Sequence, residues 1–196
     1  MARRILILDG HPDRDPAPHF LPALLDAYAD GARAAGHEVE RLRVATLDFP
    51  WLRSGGDWEP ANTPADVTRL QAALTAADHW LLAYPLWFGN PPALLLGLLE
   101  HALRPGFAFT PPGPGAPPKP LLGGRSAHVL VTMNMPAFAY RWYFGAHGVK
   151  TLRRHLLGTA GFRPVRTTLV GSVLTIGTGG RERWLQRLRA MGTGSR

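Results

Sequence analysis

The chain has no cysteine among its 196 residues, which excludes disulfides, thiolate zinc sites and cysteine nucleophiles. A chain without cysteine suits the reducing cytoplasm, where we expect this protein to be located. Long apolar runs are also lacking. The runs Ile5–Leu8 and Leu94–Leu99 are far shorter than the roughly 20 residues that cross a bilayer. We therefore expect no signal peptide and no stable membrane insertion.

Acidic residues are scarce, because 14 Asp and Glu stand against 22 Lys and Arg and give a net charge of +8. The excess is mostly arginine, since Lys119 and Lys150 are the only lysines. The arginines are scattered, and Arg153-Arg154 and the region from Arg181 onward are the nearest approach to clusters. Solvated helix faces explain this spread better than a groove that follows phosphates, so we expect no nucleic-acid partner.

Short apolar segments alternate with segments of helical spacing along the chain. The predicted strands are 3–10, 37–44, 79–84, 126–132 and 166–171, and the predicted helices are 20–35, 66–77, 91–103, 143–157 and 182–191. The glycine-rich segment 177–180 is predicted as a turn before the last helix. Five alternations of strand and helix are typical of an open parallel sheet covered on both faces. We predict one α/β domain over residues 1–196.

In such sheets the ligand binds outside the carboxyl ends of the strands, where the strand order reverses. The loop DGHPDRDPAP after the first strand holds His11 close to a helix start, where a phosphate is favoured. It contains neither Gly-x-x-x-x-Gly-Lys nor Gly-x-Gly-x-x-Gly, and a turn-stabilising role for His11 is the alternative. The loop YPLWFGNPP after the third strand offers Trp87, Phe88 and Gly89 to the edge of a flat redox-active ring. For the two aromatic residues, capping of the core is the alternative.

The segment PLWFGNPPALLLGLLEHALRPGFAF resembles the motif Pro-Leu-x-Trp-Phe-(Gly/Ser)-x-Pro-Ala-x-Leu-Lys-Gly of flavodoxin-like NAD(P)H:quinone oxidoreductases, including the modulator-of-drug-activity-B group. Other pieces of that pattern follow in order: GHP at 10–12, LDFP at 47–50, GFAF at 106–109, Thr132, Tyr140 and His147-Gly148. The resemblance spans roughly 3–191. It implies a flavodoxin-like doubly wound sheet of five parallel strands with helices on both faces, and a two-electron flavoenzyme of the NAD(P)H dehydrogenase (quinone) type.

The resemblance also implies where a flavin and its substrates would bind. The flavin phosphate would lie in the first loop, at His11, Ala17 and His19. The isoalloxazine ring would lie against Pro85, Leu86, Trp87, Phe88 and Gly89, and its N1 and O2 edge would face Thr132, Met133, Asn134 and Met135. The catalytic residues would be Tyr140 and His147, and the substrate would contact Phe107, Phe109 and Tyr140. No metal is expected.

The family chemistry implies a ping-pong cycle, in which NAD(P)H delivers hydride and leaves before a quinone or similar flat aromatic acceptor binds. FAD is the preferred cofactor because LDFP borders the adenine half in the closer relatives, and FMN is the other possibility. Tyr140 would hydrogen-bond the acceptor or a flavin oxygen, or its buried hydroxyl would instead bond to the backbone. His147 would supply a proton.

The family completes its pocket across a homodimer interface, so the resemblance implies a homodimer. Such an interface would also explain why the helix segment 93–99 has little polar surface. Two other functions are considered beside the reductase. One is a flavin-binding regulatory or ancillary subunit of a membrane ion-efflux system, and the other is a one-electron flavodoxin-like carrier.

Overall fold

Five parallel strands form one sheet in the order β2-β1-β3-β4-β5. The computed structural model describes residues 2–15, 19–111 and 117–194. The strands are β1 Arg4–Asp9, β2 Glu38–Arg43, β3 His79–Pro85, β4 Ser126–Thr132 and β5 Val165–Val170. The strand order reverses between β1 and β3, and the carboxyl ends of these two strands and of β4 lie along one edge of the sheet.

Helices connect the strands and cover the sheet. They are α1 Phe20–Ala34, α2 Ala65–Ala76, α3 Ala93–Ala102, α4 His147–Thr151, α5 Gly158–Ala160 and α6 Gly177–Thr193. A π-helical segment, Leu152–Leu157, joins α4 to α5, and a π-helical turn, Ala139–Tyr143, precedes α4. Short 3₁₀ turns occupy Val44–Thr46, Gly55–Trp58 and Pro60–Asn62.

Each face of the sheet has its own apolar core. On one face, α1 and α6 cover alternate strand residues such as Ile5, Leu81 and Leu130. On the other face, α2, α3 and the helical segment from α4 to α5 cover residues such as Leu6 and Trp80. Because strands with both faces buried need apolar residues at nearly every position, the short apolar runs in the sequence become these strands. The predicted doubly wound fold is confirmed.

Two helix starts differ from the prediction. The last helix begins at Gly177, so the segment 177–180, predicted as a turn, is the first turn of α6. The N–H groups of a first turn have no partner inside the helix, so glycines cost less there than in the interior. The helix predicted from Tyr143 instead begins at His147, because Gly145 and Ala146 adopt left-handed conformations with φ of 67° and 47°.

Within the described residues, no helix has the length and apolar character needed to span a membrane.

Candidate functional site

A pocket of about 620 Å³ lies beyond the carboxyl ends of β3 and β4. Its walls come from the loop after β3, the loop after β4 and the helical segment that begins at Ala139. The lining residues are Leu86, Phe88, Gly89, Asn90, Met133, Asn134, Met135, Tyr140, Phe144, His147 and Gly148. The volume is that of a site for a drug-sized ligand or a cofactor ring. Eight of these residues were predicted from the sequence as site residues. Asn90 and Gly148 appeared there only inside motifs, and Phe144 was not predicted.

The turn Trp87–Asn90 forms one wall of the pocket and has an unusual backbone. Trp87 and Asn90 exchange two backbone hydrogen bonds, each 2.9 Å long. The two central residues have positive φ, 48° at Phe88 and 83° at Gly89, which is the conformation of a tight hairpin turn. A left-handed conformation costs a non-glycine residue roughly 1–2 kcal/mol. The Phe88 side chain is also fully exposed, at 106%, so the turn presents a strained aromatic residue at the pocket mouth.

Tyr140 fixes this turn from the opposite wall. Its side chain is buried, and its hydroxyl donates a hydrogen bond of 3.0 Å to the carbonyl oxygen of Gly89. Burial raises the pKa of this hydroxyl, which therefore stays a donor at neutral pH. Gly148 lies against the same turn, since a Cβ at this position would collide with the Gly89 carbonyl oxygen. The Tyr140 hydroxyl thus bonds to the backbone, which is the alternative to a direct contact with the acceptor or the flavin.

The loop after β4 leaves backbone donors free. Met133 donates its N–H to Val170, and Met135 accepts at its carbonyl oxygen from Ser172. Across the described residues, the N–H groups of Asn134 and Met135 have no hydrogen-bond partner, and the same holds for the N–H groups of Phe88 and Gly89 on the other wall. Unpaired donors on two sides of one pocket can bind electronegative atoms on two edges of a ligand.

His147 lies at the N-terminal end of α4 and is exposed to the pocket. The left-handed pair Gly145 and Ala146 turns the chain so sharply that a Cβ on Gly145 would meet the His147 ring at 2.5 Å. The side chain is therefore held at the pocket lining, where its imidazole can give or accept a proton.

A second cavity, of about 300 Å³, lies at the carboxyl end of β1, next to the start of α1. Its lining is strongly charged: Asp9, His11, Asp13, Asp15, His19, Pro22, Arg41 and Arg43. The rings of His11 and His19 stack with centroids 4.1 Å apart. Nδ1 of His11 accepts a hydrogen bond from the Asp13 N–H at 3.2 Å. In the neutral ring the proton is therefore on Nε2, which can donate to a ligand.

Two ionisable side chains of this first loop, His11 and Asp13, have lowered pKa values. Burial lowers the pKa of His11, and the neighbouring His19 adds to the effect, so His11 is neutral at physiological pH. A hydrogen bond from the Asp15 N–H, followed by one from His19, lowers the pKa of Asp13. Asp13 therefore presents a carboxylate 3.0 Å from His19 Nε2.

Asp9, at the end of β1, is 1% exposed and pairs with Arg41 of β2 at 2.6 Å. Arg43, also of β2, donates to the Asp13 carbonyl oxygen. Asp9, Asp13, Arg41 and Arg43 were not predicted from the sequence as site residues. The signal available was the pair of arginines at the end of the second predicted strand.

Several residues expected in the site lie elsewhere. Phe107 and Phe109 follow α3 and pack against the larger core, and they do not line the pocket. Pro85 and Thr132 pair as the last residues of β3 and β4, below the pocket, and Trp87 is half exposed on the outside of its turn. Ala17 lies outside the described residues.

The LDFP segment packs against α3. The Phe49 ring meets the His101 ring edge-on at 5.8 Å, and His101 Nε2 lies 2.7 Å from the Pro50 carbonyl oxygen. The apolar character of α3 has a similar internal explanation, because Leu95, Leu98 and Leu99 are buried in the core of the chain itself.

An open α/β sheet with a pocket beside the reversal of strand order is the architecture of doubly wound α/β proteins. The model of the flavodoxin-like fold family matches residues 3–191, and the chain belongs to this family. The curated rat protein NAD(P)H dehydrogenase (quinone) 1 (Rattus norvegicus) is 27% identical over 128 residues, which are 55% of this chain and 46% of the rat protein. The matched region therefore spans less than half of that relative.

Solved structures show the same fold over nearly the whole chain. An NAD(P)H:quinone oxidoreductase from Methanothermobacter marburgensis has a TM-score of 0.77 and 23% identity, covering 100% of this chain and 98% of that one. An FMN-dependent NADH-azoreductase from Bacillus anthracis, solved in complex with FMN, has a TM-score of 0.78 and 15% identity, covering 98% and 99%.

Proposed function

We propose that this protein is a flavin-dependent NAD(P)H oxidoreductase whose acceptor is a quinone or a similar flat aromatic compound. The observation that carries the proposal is the pocket beyond β3 and β4, which combines apolar and aromatic walls with four backbone N–H groups that have no partner among the described residues. A flavin ring is flat, apolar on its faces and rich in heteroatoms on its edges, so these walls and donors fit it. The names of the rat, archaeal and bacillus relatives support the same chemistry.

Residues of both cavities would hold the flavin. The N–H groups of Phe88 and Gly89 would bind one edge of the ring, and those of Asn134 and Met135 another. The neutral His11, with its proton on Nε2, and the N-terminus of α1 would bind the 5′-phosphate. When bound, the flavin accepts a hydride equivalent from NAD(P)H and passes it to the acceptor.

The remaining pocket residues position and protect the reactants. Tyr140 holds the Trp87–Asn90 turn through the Gly89 carbonyl, and its hydroxyl oxygen can still accept a hydrogen bond from a ligand. His147 would supply the proton that a reduced quinone oxygen requires. Phe88 and Phe144, both exposed at the pocket mouth, would exclude water once the ligands are bound.

A homodimer is part of the proposal. Phe88, Phe144 and Tyr143 are all more than half exposed around the pocket mouth, and a partner surface would cover them. Phe107 and Phe109 lie outside the pocket that this chain forms alone and have no assigned role in it. Light scattering on the purified protein measures the oligomeric state.

We also infer a cytoplasmic location, where the reduced nicotinamide cofactor is supplied and a chain without cysteine is common.

The first test is an absorbance spectrum of the purified protein with added FMN or FAD, followed by anaerobic NADPH. We expect bands near roughly 370 and 450 nm that bleach with NADPH and return with a quinone. Chromatography of the flavin released by heat identifies FMN or FAD. Phe88→Ala should weaken flavin binding by about tenfold, since the side chain is a wall of the pocket. Phe138→Ala is the matched control, because Phe138 is also an exposed phenylalanine but lies outside this pocket. A protein that stays colourless with both flavins would refute the proposal.

A further inference from the structure

A larger cleft, of about 1060 Å³, runs along β5, the strand at the edge of the sheet. Five consecutive strand residues, 165–169, line it, so the cleft follows the open edge of the strand. One wall comes from α6 and the other from the segment 137–153. The cleft has no lining residue in common with the proposed flavin pocket.

The described residues that line this cleft include cations but no carboxylate. The cationic side chains are Arg141, Lys150, Arg153, Arg166 and Arg187. Exposed aromatic residues lie among them, with Trp142 exposed by 75% and Phe138 by 62%. A cleft lined by one sign of charge selects a ligand of the opposite sign.

The backbone of β5 has unused hydrogen-bonding groups on the cleft side. Pro164, just before the strand, and Val170, its last residue, accept hydrogen bonds at their carbonyl oxygens from the N–H groups of Ala127 in β4 and of Met133 directly after it. Because alternate residues of a strand bond to the same neighbour, Thr167 and Leu169 direct their N–H and C=O groups away from β4. Val165 does the same, and its carbonyl oxygen is bound by Arg153 at 3.0 Å.

Two buried polar atoms of the lining also lack partners among the described residues. They are Oγ1 of Thr167 and Nε2 of His79, and His79 as a whole is only 5% exposed. Buried polar atoms are nearly always paired. The polar groups of this lining are therefore incompletely paired by the residues that the structure describes.

We propose that the β5 edge binds an acidic, extended segment of a partner protein as an added strand. Backbone pairing with Thr167 and Leu169 would provide affinity, and acidic side chains facing Arg141, Lys150 and Arg187 would provide selectivity. A second copy of this chain would bring the same cationic edge against this one, so like charges oppose that occupant. The proposal does not depend on the redox function.

The test uses a fluorescein-labelled peptide of about ten alternating glutamate and valine residues, long enough to span the strand, in fluorescence anisotropy with the whole protein. Two control ligands separate strand pairing from charge. One is the same peptide with N-methyl groups at alternate residues, which keeps the charge but blocks pairing. The other is oligothymidylate of equal charge.

The variant R141E/K150E reverses two exposed charges of the cleft, and we expect peptide binding to weaken by about tenfold or more. The matched control is R33E/R69E, which changes the net charge equally at two exposed positions on α1 and α2, outside the cleft. It should change binding by less than about threefold, because distant charges are screened. Thermal melts verify that both variants fold.

Binding of the plain peptide that is lost on N-methylation and weakened only by the cleft variant supports the proposal. Equal binding of the N-methylated peptide or of oligothymidylate would overturn it in favour of a general polyanion surface. No binding of the plain peptide at millimolar concentration would also overturn it, and the cations would then serve to keep a bare strand edge from pairing with other copies.

Discussion

Replacement of Tyr140 by phenylalanine removes one hydroxyl and leaves the ring in place. The lost hydrogen bond to the Gly89 carbonyl is 3.0 Å long, and the residue is 1% exposed. A partly buried hydrogen bond of this kind contributes about 1 kcal/mol, and a carbonyl left without its partner costs up to about 1 kcal/mol more. We therefore expect the free energy of unfolding to fall by about 1–2 kcal/mol in Y140F. The strained turn at Phe88 would lose its anchor, and flavin affinity should fall by about 5- to 30-fold.

Urea unfolding and fluorescence titration of the flavin-free protein measure both effects. Y143F is the matched control, because Tyr143 is 84% exposed and neighbours Tyr140 in the same π-helical turn, and it should change neither quantity measurably. If Tyr140 acts through the turn, saturating flavin restores kcat. If Y140F instead lowers kcat at saturating flavin, with flavin affinity and unfolding free energy unchanged, the positioning argument is refuted and the hydroxyl has a direct role in proton transfer.

Three further changes test other parts of the structure. Asp13→Asn removes a carboxylate from the cavity assigned to the flavin phosphate. Flavin affinity should therefore rise by about 3- to 10-fold at low salt and by less at high salt. A flavin titration that shows no gain would place the phosphate elsewhere. Gly148→Ala inserts a Cβ against the turn and should cost about 1–3 kcal/mol of stability, whereas Gly123→Ala, with nothing near its Cβ, should be almost neutral in the same unfolding assay. Burial lowers the pKa of His79 and of His128 to about 4, against about 6.5 in the unfolded chain. The unfolded state then binds more protons than the folded state below pH 6.5, and the free energy of unfolding should fall by about 2 kcal/mol per histidine between pH 7 and pH 5. If a variant with both histidines replaced by asparagine shows the same fall in urea unfolding, the two histidines are not the source of the pH dependence.

The fold was predictable because its determinants are local and repeated. Each strand is a short apolar run, and both faces of the sheet are covered, so β3 and β4 begin at the predicted residues His79 and Ser126. The helix starts at His147 and Gly177 were not predictable in the same way. A left-handed alanine at 146 leaves no pattern in the sequence, and four residues containing three glycines favour a turn unless tertiary packing provides a helix start.

Site residues that belong to a motif directly after a strand could be predicted from the sequence. Contacts that a side chain makes to a backbone atom could not. The partner of the Tyr140 hydroxyl is a carbonyl oxygen 51 residues away, and every residue type carries such an oxygen. No side-chain pattern can therefore mark it. The charged residues that surround His11 and His19 at the end of β1 were missed for a related reason: Arg41 contributes only because β2 lies beside β1, and its alternation with apolar residues also fits an ordinary solvent-facing strand position.

The segment 139–150 separates the two proposed binding regions, although left-handed Gly145 and Ala146 interrupt its helical turns. Tyr140, Phe144 and His147 line the flavin pocket, whereas Arg141 and Lys150 line the cleft along β5. Side chains of successive residues on a helical turn point in different directions, so one segment can contribute to both regions with different residues. It follows that R141E/K150E should leave flavin affinity unchanged and that Y140F should leave peptide affinity unchanged. Loss of both affinities in either variant would mean that the segment moves as one body and that the two regions are coupled through it.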